Sequence, residues 1–370
     1  MLSNMESLEN KISIDIADLR APGAGCVRIG PVAAVPALLN KYADEPADQI
    51  VAEVGLDLEL FEDPQDDIAF ITVGRLLNLC AKRTGLPHFG LLLGQQGELE
   101  KLGHFGELAI YAPTVEAALH GMILHVCSND RGGVPTLRSK NGIARLGYAI
   151  YVPMHEGASQ IYSTSITIMY NLLRVMCGKT FTAAEVRFSH SQPSDMTPYE
   201  VFFQAPLIFG ADEDAIVFSD QWLKKPLPGA NKELYTDVLQ RLSTIDSGMG
   251  VDLLEKIRMI LRPMIVSQHC SLERLASALS LHPRTLNRRL KERGTNFREM
   301  VAELRYELAK QLLIDNNMSY IKISTLLGYA EASVFTRSFR RWSGTTPSAW
   351  CMRHSTRSMH VGNEQLKLPS

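Results

Sequence analysis

The sequence lacks most of the marks by which enzymes, membrane proteins and secreted proteins are read. Its six cysteines, Cys26, Cys80, Cys127, Cys177, Cys270 and Cys351, are scattered without a C-x-x-C pair. That argues against a structural zinc site or a disulfide framework and leaves them as buried thiols of a reducing compartment. No apolar run nears the roughly 18 residues of a membrane span, and the opening MLSNMESLENK is polar and acidic, unlike a signal peptide. A cytoplasmic protein with no membrane partner is expected. G-x-S-x-G, a P-loop and a dinucleotide fingerprint are missing. His120 and His125 lie five apart and do not share a helix face, and His155-Glu156 and His269-Cys270 are neighbours in sequence only. None has metal-ligand or triad spacing, so no catalytic residue, metal or cofactor is expected. With 45% apolar and 21% charged residues, the composition is that of a folded globular chain.

What is present is first an uneven distribution of charge. Residues 251–360 hold 18 Lys+Arg against 9 Asp+Glu, and residues 1–250 hold 19 against 30; the last ten cancel, so +9 and −11 give the net −2. An acidic body carries a basic head, as expected when one domain meets phosphates and the other does not.

Within the basic part, Val334, Phe335, Phe339 and Trp342 fall at helical spacing and leave Ser333, Thr336, Arg337, Arg340 and Arg341 on the remaining surface. Ahead of this helix, Ile321, Ile323, Leu326 and Leu327 form a short apolar one, and Gly328 supplies the turn between them. Gly344 stops the basic helix, Pro347 suits the start of another, and Trp350 can pack back on the module. Helix, tight turn and basic helix is the helix-turn-helix order. The pattern occurs twice. Leu272, Leu275, Ala276 and Leu279 make an earlier short helix, Ser280-Leu281-His282 a turn, and Pro283 opens RTLNRRLKERG, ending at Gly294. Leu286, Arg288, Leu290 and Lys291 recur as Phe335, Arg337, Phe339 and Arg340. Between the units, Phe297 to Asp315 reads as a helix capped by Thr295 or Asn296, with Phe297, Val301, Leu304, Leu308 and Leu312 as its buried stripe.

These residues resemble the AraC/XylS family of transcription regulators, whose DNA-binding domain is two helix-turn-helix units joined by a long helix. G-Y-x-E-x-S-x-F-x-R-x-F-R-R, the Gly-x-x-P that follows it, and Arg305 and Ala309 fall where the family has them. Ser324 stands where Ala is usual, and Cys351 where Arg is common. The resemblance implies base reading by Arg284, Asn287 and Arg288 in the first unit and by Ser333, Thr336 and Arg337 in the second. Arg289, Lys291, Arg340 and Arg341 are the expected phosphate contacts.

Upstream, residues 1–30 are expected to be a mobile segment. Pro31 to Leu93 reads as a small helical subdomain, and Thr114 caps a helix from Val115 to Cys127. Thr136–Ser139 and Ala144–Val152 flank Lys140-Asn141-Gly142, a hairpin signal. Helix is expected at Ile161–Met176 and Tyr199–Gln204, and strand at Glu185–Ser189, Leu207–Gly210 and Ala215–Phe218. This region, with Pro198-Tyr199, Phe203, Pro206-Leu207, Phe209-Gly210 and Trp222-Leu223, resembles the "arabinose-binding" type of N-terminal domain of AraC-family members similar to ornithine-utilisation regulators.

The expected fold is an α+β sensing domain with a helical subdomain, followed by an all-α domain of two helix-turn-helix units. Residues 31–242 form an effector-binding and dimerisation domain, 243–250 a flexible linker, 251–355 the DNA-binding domain and 356–370 a flexible tail. The resemblance implies a transcription regulator, activator or repressor, that binds operator DNA as a homodimer, contacts RNA polymerase and responds to a small effector. Tyr148, Tyr151, Tyr162, Met169, Tyr170 and Phe203 are the candidate pocket, because they put amphipathic aromatics on facing elements. The rival readings are a ligand-independent architectural DNA binder and an enzyme with a DNA-binding head.

Overall fold

The computed structural model describes residues 25–97, 103–126, 129–152, 154, 156–247, 252–279, 281–314 and 318–353, with the backbone alone for 243–247 and 314. Strand β1 (Cys26–Arg28) is followed by helices α1 (Val35–Tyr42) and α2 (Ala47–Ala52), strand β2 (Asp67–Ala69), and helices α3 (Phe70–Thr84) and α4 (Phe89–Gln95). The helices close on Ile29, Val35, Leu39, Ile50, Leu76 and Phe89, all fully buried. Residues 25–30 therefore belong to this subdomain and are no mobile leader, which corrects the expectation for that part of 1–30. β1 pairs antiparallel with β2, setting Cys26 against Ala69 and Arg28 against Asp67. Three-residue strands are too short for alternation to be seen in sequence. Residues 1–24 lie outside the described residues.

The α+β region contributes α5 (His104–Tyr111), α6 (Val115–Leu124), β3 (Gly133–Lys140), β4 (Ile143–Ile150), α7 (Ala158–Cys177), β5 (Glu185–Phe188), α8 (Thr197–Phe203), β6 (Leu207–Phe209), β7 (Asp214–Ser219) and α9 (Lys232–Ser247). Thr114 caps α6 as expected, its Oγ1 accepting the Ala117 N–H at 3.2 Å. The sheet order is β3-β4-β7-β5-β6, antiparallel throughout except for the β5–β6 pair. Asn141 and Gly142 turn the β3–β4 hairpin with φ of 54° and 81°, the left-handed pair that a two-residue hairpin loop needs.

Alternation decides what each sheet face meets. On one face Leu137, Leu146, Ile216 and Phe218 pack beneath α6 and α7. On the other, Val134 stands opposite Ala149 in register, and both join a different cluster with Ile257, Ile260, Leu261 and Met264. Those four lie on α10 (Leu253–Val266), the first helix of the C-terminal unit. The sheet is thus covered on one side by its own helices and, at its β3–β4 end, by the next domain.

α9 runs to Ser247, so the first five residues of the expected flexible linker are helical; 248–251 lie outside the described residues. The helix carries on because Leu242 and Ile245 keep helical spacing and no Gly or Pro intervenes before Gly248. Beyond α10 come α11 (Leu272–Ala278), α12 (Pro283–Glu292), α13 (Phe297–Ile314), α14 (Tyr320–Leu326) and α15 (Ala332–Ser343), with residues 347–353 again helical. Among the described residues no helix is long and apolar enough to cross a membrane. The expected tail, 356–370, lies outside the described residues.

Candidate nucleic-acid interface and sensing region

The first unit is built by two caps. Ser271 Oγ accepts the Arg274 N–H at 3.2 Å and starts α11. His282 Nδ1 accepts the Arg284 N–H at 3.2 Å, and Pro283 occupies the first turn of α12. Leu275, Ala276, Leu286 and Leu290 are fully buried between the two helices. With that stripe fixed, the helical period leaves Arg284, Arg288, Arg289 and Lys291 exposed and Asn287 half-buried on the other side. Arg288 pairs with Glu292 at 3.7 Å. At such exposure that pair is weak and leaves the guanidinium free to exchange partners.

The second unit repeats the plan. Ser319 Oγ accepts the Lys322 N–H at 3.2 Å to start α14. Ser324, in the place of the usual Ala, is buried and donates its hydroxyl to the Ile321 carbonyl at 2.9 Å, so no polar group is stranded. On α15, Phe335 and Phe339 are fully buried, while Ser333, Arg337, Arg340 and Arg341 are exposed. Ser333 Oγ donates to Glu331 Oε2 at 3.0 Å. Thr336 is half-buried and donates its hydroxyl to the Ala332 carbonyl at 2.9 Å, which leaves its methyl and its lone pairs for a ligand. Trp350 packs edge-on against Phe339 at 6.1 Å, and the Cys351 thiol donates to the Leu313 carbonyl at 3.4 Å, tying the last helix to α13.

α13 joins the units. Asn296 is its cap, Oδ1 accepting the Glu299 N–H at 3.1 Å. Leu304, Leu308 and Leu312 are buried, and Phe297 and Val301 are partly so. From its middle, Arg305 sets its guanidinium 5.1 Å from the Tyr329 ring centroid, against the turn where Gly328 has φ of 75°. The turn of the second unit is thereby pinned by the helix leading from the first.

The six candidate pocket residues divide. Tyr148 and Met169 line one cavity of about 130 Å³ bordered by α3, α6, α7 and β4. Tyr162 stands beside it, 6.4 Å from the Tyr148 ring, with Lys322 of α14 5.8 Å from its own ring centroid. Tyr170 and Phe203 belong to a separate aromatic core: the Tyr170 hydroxyl donates to the Phe203 carbonyl at 2.5 Å and the rings meet at 5.0 Å. Tyr151 lies in the cluster formed with α10.

Two features escape the sequence reading. Asp130, ahead of β3, is buried, accepts the N–H groups of Gly132 and Gly133 at 2.8 and 2.9 Å on one oxygen, and takes the Tyr148 hydroxyl on the other. Burial raises its carboxyl to about 6. The run Asp130-Arg131-Gly132-Gly133 before a strand is the signal for such a turn. The other is a ring contact between His120 of α6 and His269 of the α10–α11 connection, 5.3 Å apart, which only the packing of the two domains brings about.

Comparison with known proteins places these features. Residues 46–227 match the arabinose-binding domain of AraC transcription regulators, N-terminal, and residues 275–353 match a helix-turn-helix domain. The chain is 27% identical over 311 residues to the HTH-type transcriptional regulator VirS of Mycobacterium tuberculosis, covering 80% of this chain and 92% of that protein. It is 24% identical over 328 residues to the ornithine utilization regulator of Pseudomonas aeruginosa, covering 86% and 95%. The crystal structure of the transcriptional regulator CdpR from Pseudomonas aeruginosa aligns with 72% of this chain and 87% of that one at 22% identity, with a TM-score of 0.40.

Proposed function

The chain belongs to the AraC family of DNA-binding transcription regulators, and from that premise we propose that it is an effector-controlled, homodimeric activator that engages RNA polymerase at its promoter. In this reading Arg284, Asn287 and Arg288 on α12, and Ser333, Thr336 and Arg337 on α15, address base edges. Arg289, Lys291, Arg340 and Arg341 hold phosphates. The protein acts in the cytoplasm, on the nucleoid when bound, and catalyses no reaction.

The observation that carries the reading is the duplication: two helices, each with a buried apolar stripe and an arginine-bearing exposed face, joined by a third. α13 has 18 residues, about 27 Å at 1.5 Å each, close to the roughly 34 Å between successive faces of the major groove. One chain can therefore serve two adjacent grooves. Dimerisation through residues 31–242 raises occupancy of a paired operator by effective concentration, without a further DNA contact. The effector signal passes to residues 251–355 through the sheet face covered by α10, together with the 243–250 connection.

Selection of sites by the purified full-length protein from random duplex DNA tests this. A bipartite motif with halves about 10 base pairs apart is expected. Enrichment of A·T-rich or bendable DNA with no motif, and the same affinity in every metabolite pool, would instead favour the ligand-independent architectural reading. Sedimentation of the full-length protein as a monomer at all concentrations, free and on DNA, would remove the dimer.

A further inference from the structure

The cavity between α3, α6, α7 and β4 combines three properties that together specify a ligand. Its volume is about 130 Å³, near the roughly 150 Å³ at which an engineered apolar cavity stays dry and takes up benzene. Its walls are almost wholly hydrocarbon, with Phe70 and Val73 on one side, Leu119 and Met122 on another, and Ile168 and Met169 on a third. At its border stands one buried anion, Asp130, only 6% exposed.

Asp130 is incompletely used. A carboxylate offers about four acceptor sites, and Gly132, Gly133 and Tyr148 fill three of them. Among the described residues no cation stands within ion-pair distance of it, and Arg131 beside it is held by Asp67 at 2.7 Å. Thr164, also on the wall, donates its hydroxyl to the carbonyls of Gly90 and Gln160, so it offers no donor to an incoming group. Asp130 is the one charged residue among those lining the cavity, beside the neutral polar side chains of Asn129, Tyr148, Thr164 and Ser165, so its polar end is negative.

We infer that this cavity is the effector site, and that it takes a small aromatic or aliphatic primary amine of about benzene's bulk, whose ammonium donates to Asp130, while carboxylates of the same shape are refused. The inference rests on the reading of the N-terminal region as a sensing domain. An ammonium makes a charge-assisted hydrogen bond with the one free acceptor site, an alcohol makes a neutral-donor bond there, and a carboxylate brings like charge into an apolar site beside Asp130. Val126 links the site to the rest of the molecule: it lines the cavity and also packs in the cluster with Ile257 and Leu261 of α10.

Benzylamine, benzyl alcohol and benzoate form a matched probe series, to be measured on the full-length protein by thermal shift and calorimetry. Benzylamine is expected to bind about tenfold or more tighter than benzyl alcohol, and benzoate to give no shift. Asp130→Asn should bring benzylamine down to the level of the alcohol. Ser165→Phe, a partly exposed wall position, should fill the space and abolish uptake of both, read against that variant's own ligand-free melting temperature. Benzoate binding as well as benzylamine, no shift with any probe at millimolar concentration, or uptake surviving both substitutions would overturn the inference. A selected DNA duplex separates this from the broader reading. If benzylamine enters the wild type but not Ser165→Phe and DNA affinity does not change, the site stands and effector control falls. If a metabolite pool alters DNA affinity equally in wild type and Ser165→Phe, control stands and this site falls.

Discussion

The ring of His120 on α6 meets the ring of His269, from the connection between α10 and α11, nearly edge-on at 5.3 Å and 63°, so two imidazoles span the junction of the sensing and DNA-binding domains. His269 is fixed by a 2.6 Å hydrogen bond from Nδ1 to the Ser267 carbonyl. Both are held below the ordinary histidine range of about 6.5, chiefly by burial. Arg274 adds to this at both rings and His269 adds to it at His120, while Glu116 opposes it at His120 and the Ser267 bond opposes it at His269.

A depressed histidine pKa means that the unfolded chain binds more protons than the folded one as pH falls. The stability contributed by the neutral pair is full above about 6.5 and is lost as pH drops below it. Thermal unfolding between pH 5.5 and 7.5 should show a midpoint that falls on the acid side. His269→Gln should flatten that slope, with the part due to His88, lowered by its own burial, remaining. A slope untouched by the substitution would show that the junction does not feel the pair's charge.

Asp130 acts in the opposite sense. Its carboxyl, raised to about 6 by burial, binds its proton more tightly in the folded state, so its contribution is greatest below the unfolded value of 3.8 and declines as pH rises through about 6. Asp130→Ala leaves the N–H groups of Gly132 and Gly133 and the Tyr148 hydroxyl without their acceptor. At roughly 1–3 kcal/mol for a stranded buried group, a loss of about 2–4 kcal/mol is expected from chemical denaturation. Asp130→Asn, whose Oδ1 can still accept from both glycines while its amide NH2 donates to the Tyr148 oxygen, should cost less than half as much.

The C-terminal domain was legible because its order is local. Leu286 and Leu290, or Phe335 and Phe339, declare a buried stripe by spacing alone, and Gly294, Gly328 and Gly344, all with positive φ, mark the stops. The β3–β4 hairpin was legible for the same reason, through Asn141-Gly142. What escaped depends on contacts distant in sequence. Val134 and Ala149 read as ordinary strand residues, and nothing near them says that α10 is what covers them. The six aromatic and methionine residues of the expected pocket divide in place, since Tyr170 and Phe203 face each other in a core while Tyr148 lines the cavity. Ser and Thr in 243–247 read as linker, although side-chain hydroxyls do not by themselves stop a helix that meets no Gly or Pro.

Gly328 offers a test of the joint between the two units. Its φ of 75° lies in the left-handed region, and an added Cβ would sit 3.2 Å from an Arg305 guanidinium nitrogen. Gly328→Ala should cost about 1–2 kcal/mol for the backbone alone and push Arg305 off the Tyr329 ring. Because α15 leaves this turn, DNA affinity should fall by more than the fraction of unfolded protein accounts for. An unchanged affinity per folded molecule would show that Arg305 does not set the angle of α15.

The last prediction separates base readers from phosphate clamps. Arg288 and Arg337 occupy equivalent places in the two units, exposed and on the side opposite Leu286–Leu290 and Phe335–Phe339. An arginine there can grip guanine O6 and N7 with two donors, so alanine should cost about 1–3 kcal/mol at one base position and relax the preference there alone. Arg341 is exposed in the last turn of α15, where its charge meets a backbone that is the same in every sequence. Arg341→Ala should weaken binding to all duplexes alike and reduce the slope of log affinity against log salt by about 1. Thr336→Val is a finer probe. The Thr336 hydroxyl already donates to the Ala332 carbonyl, so only an accepted hydrogen bond from a base can be lost, while a methyl remains for thymine. Selection of sites by each variant, followed by titration at two salt concentrations, gives all four results. If Arg288→Ala, Arg337→Ala and Arg341→Ala weaken every duplex equally and shift the salt slope equally, both helices grip the backbone and sequence is read elsewhere on the chain.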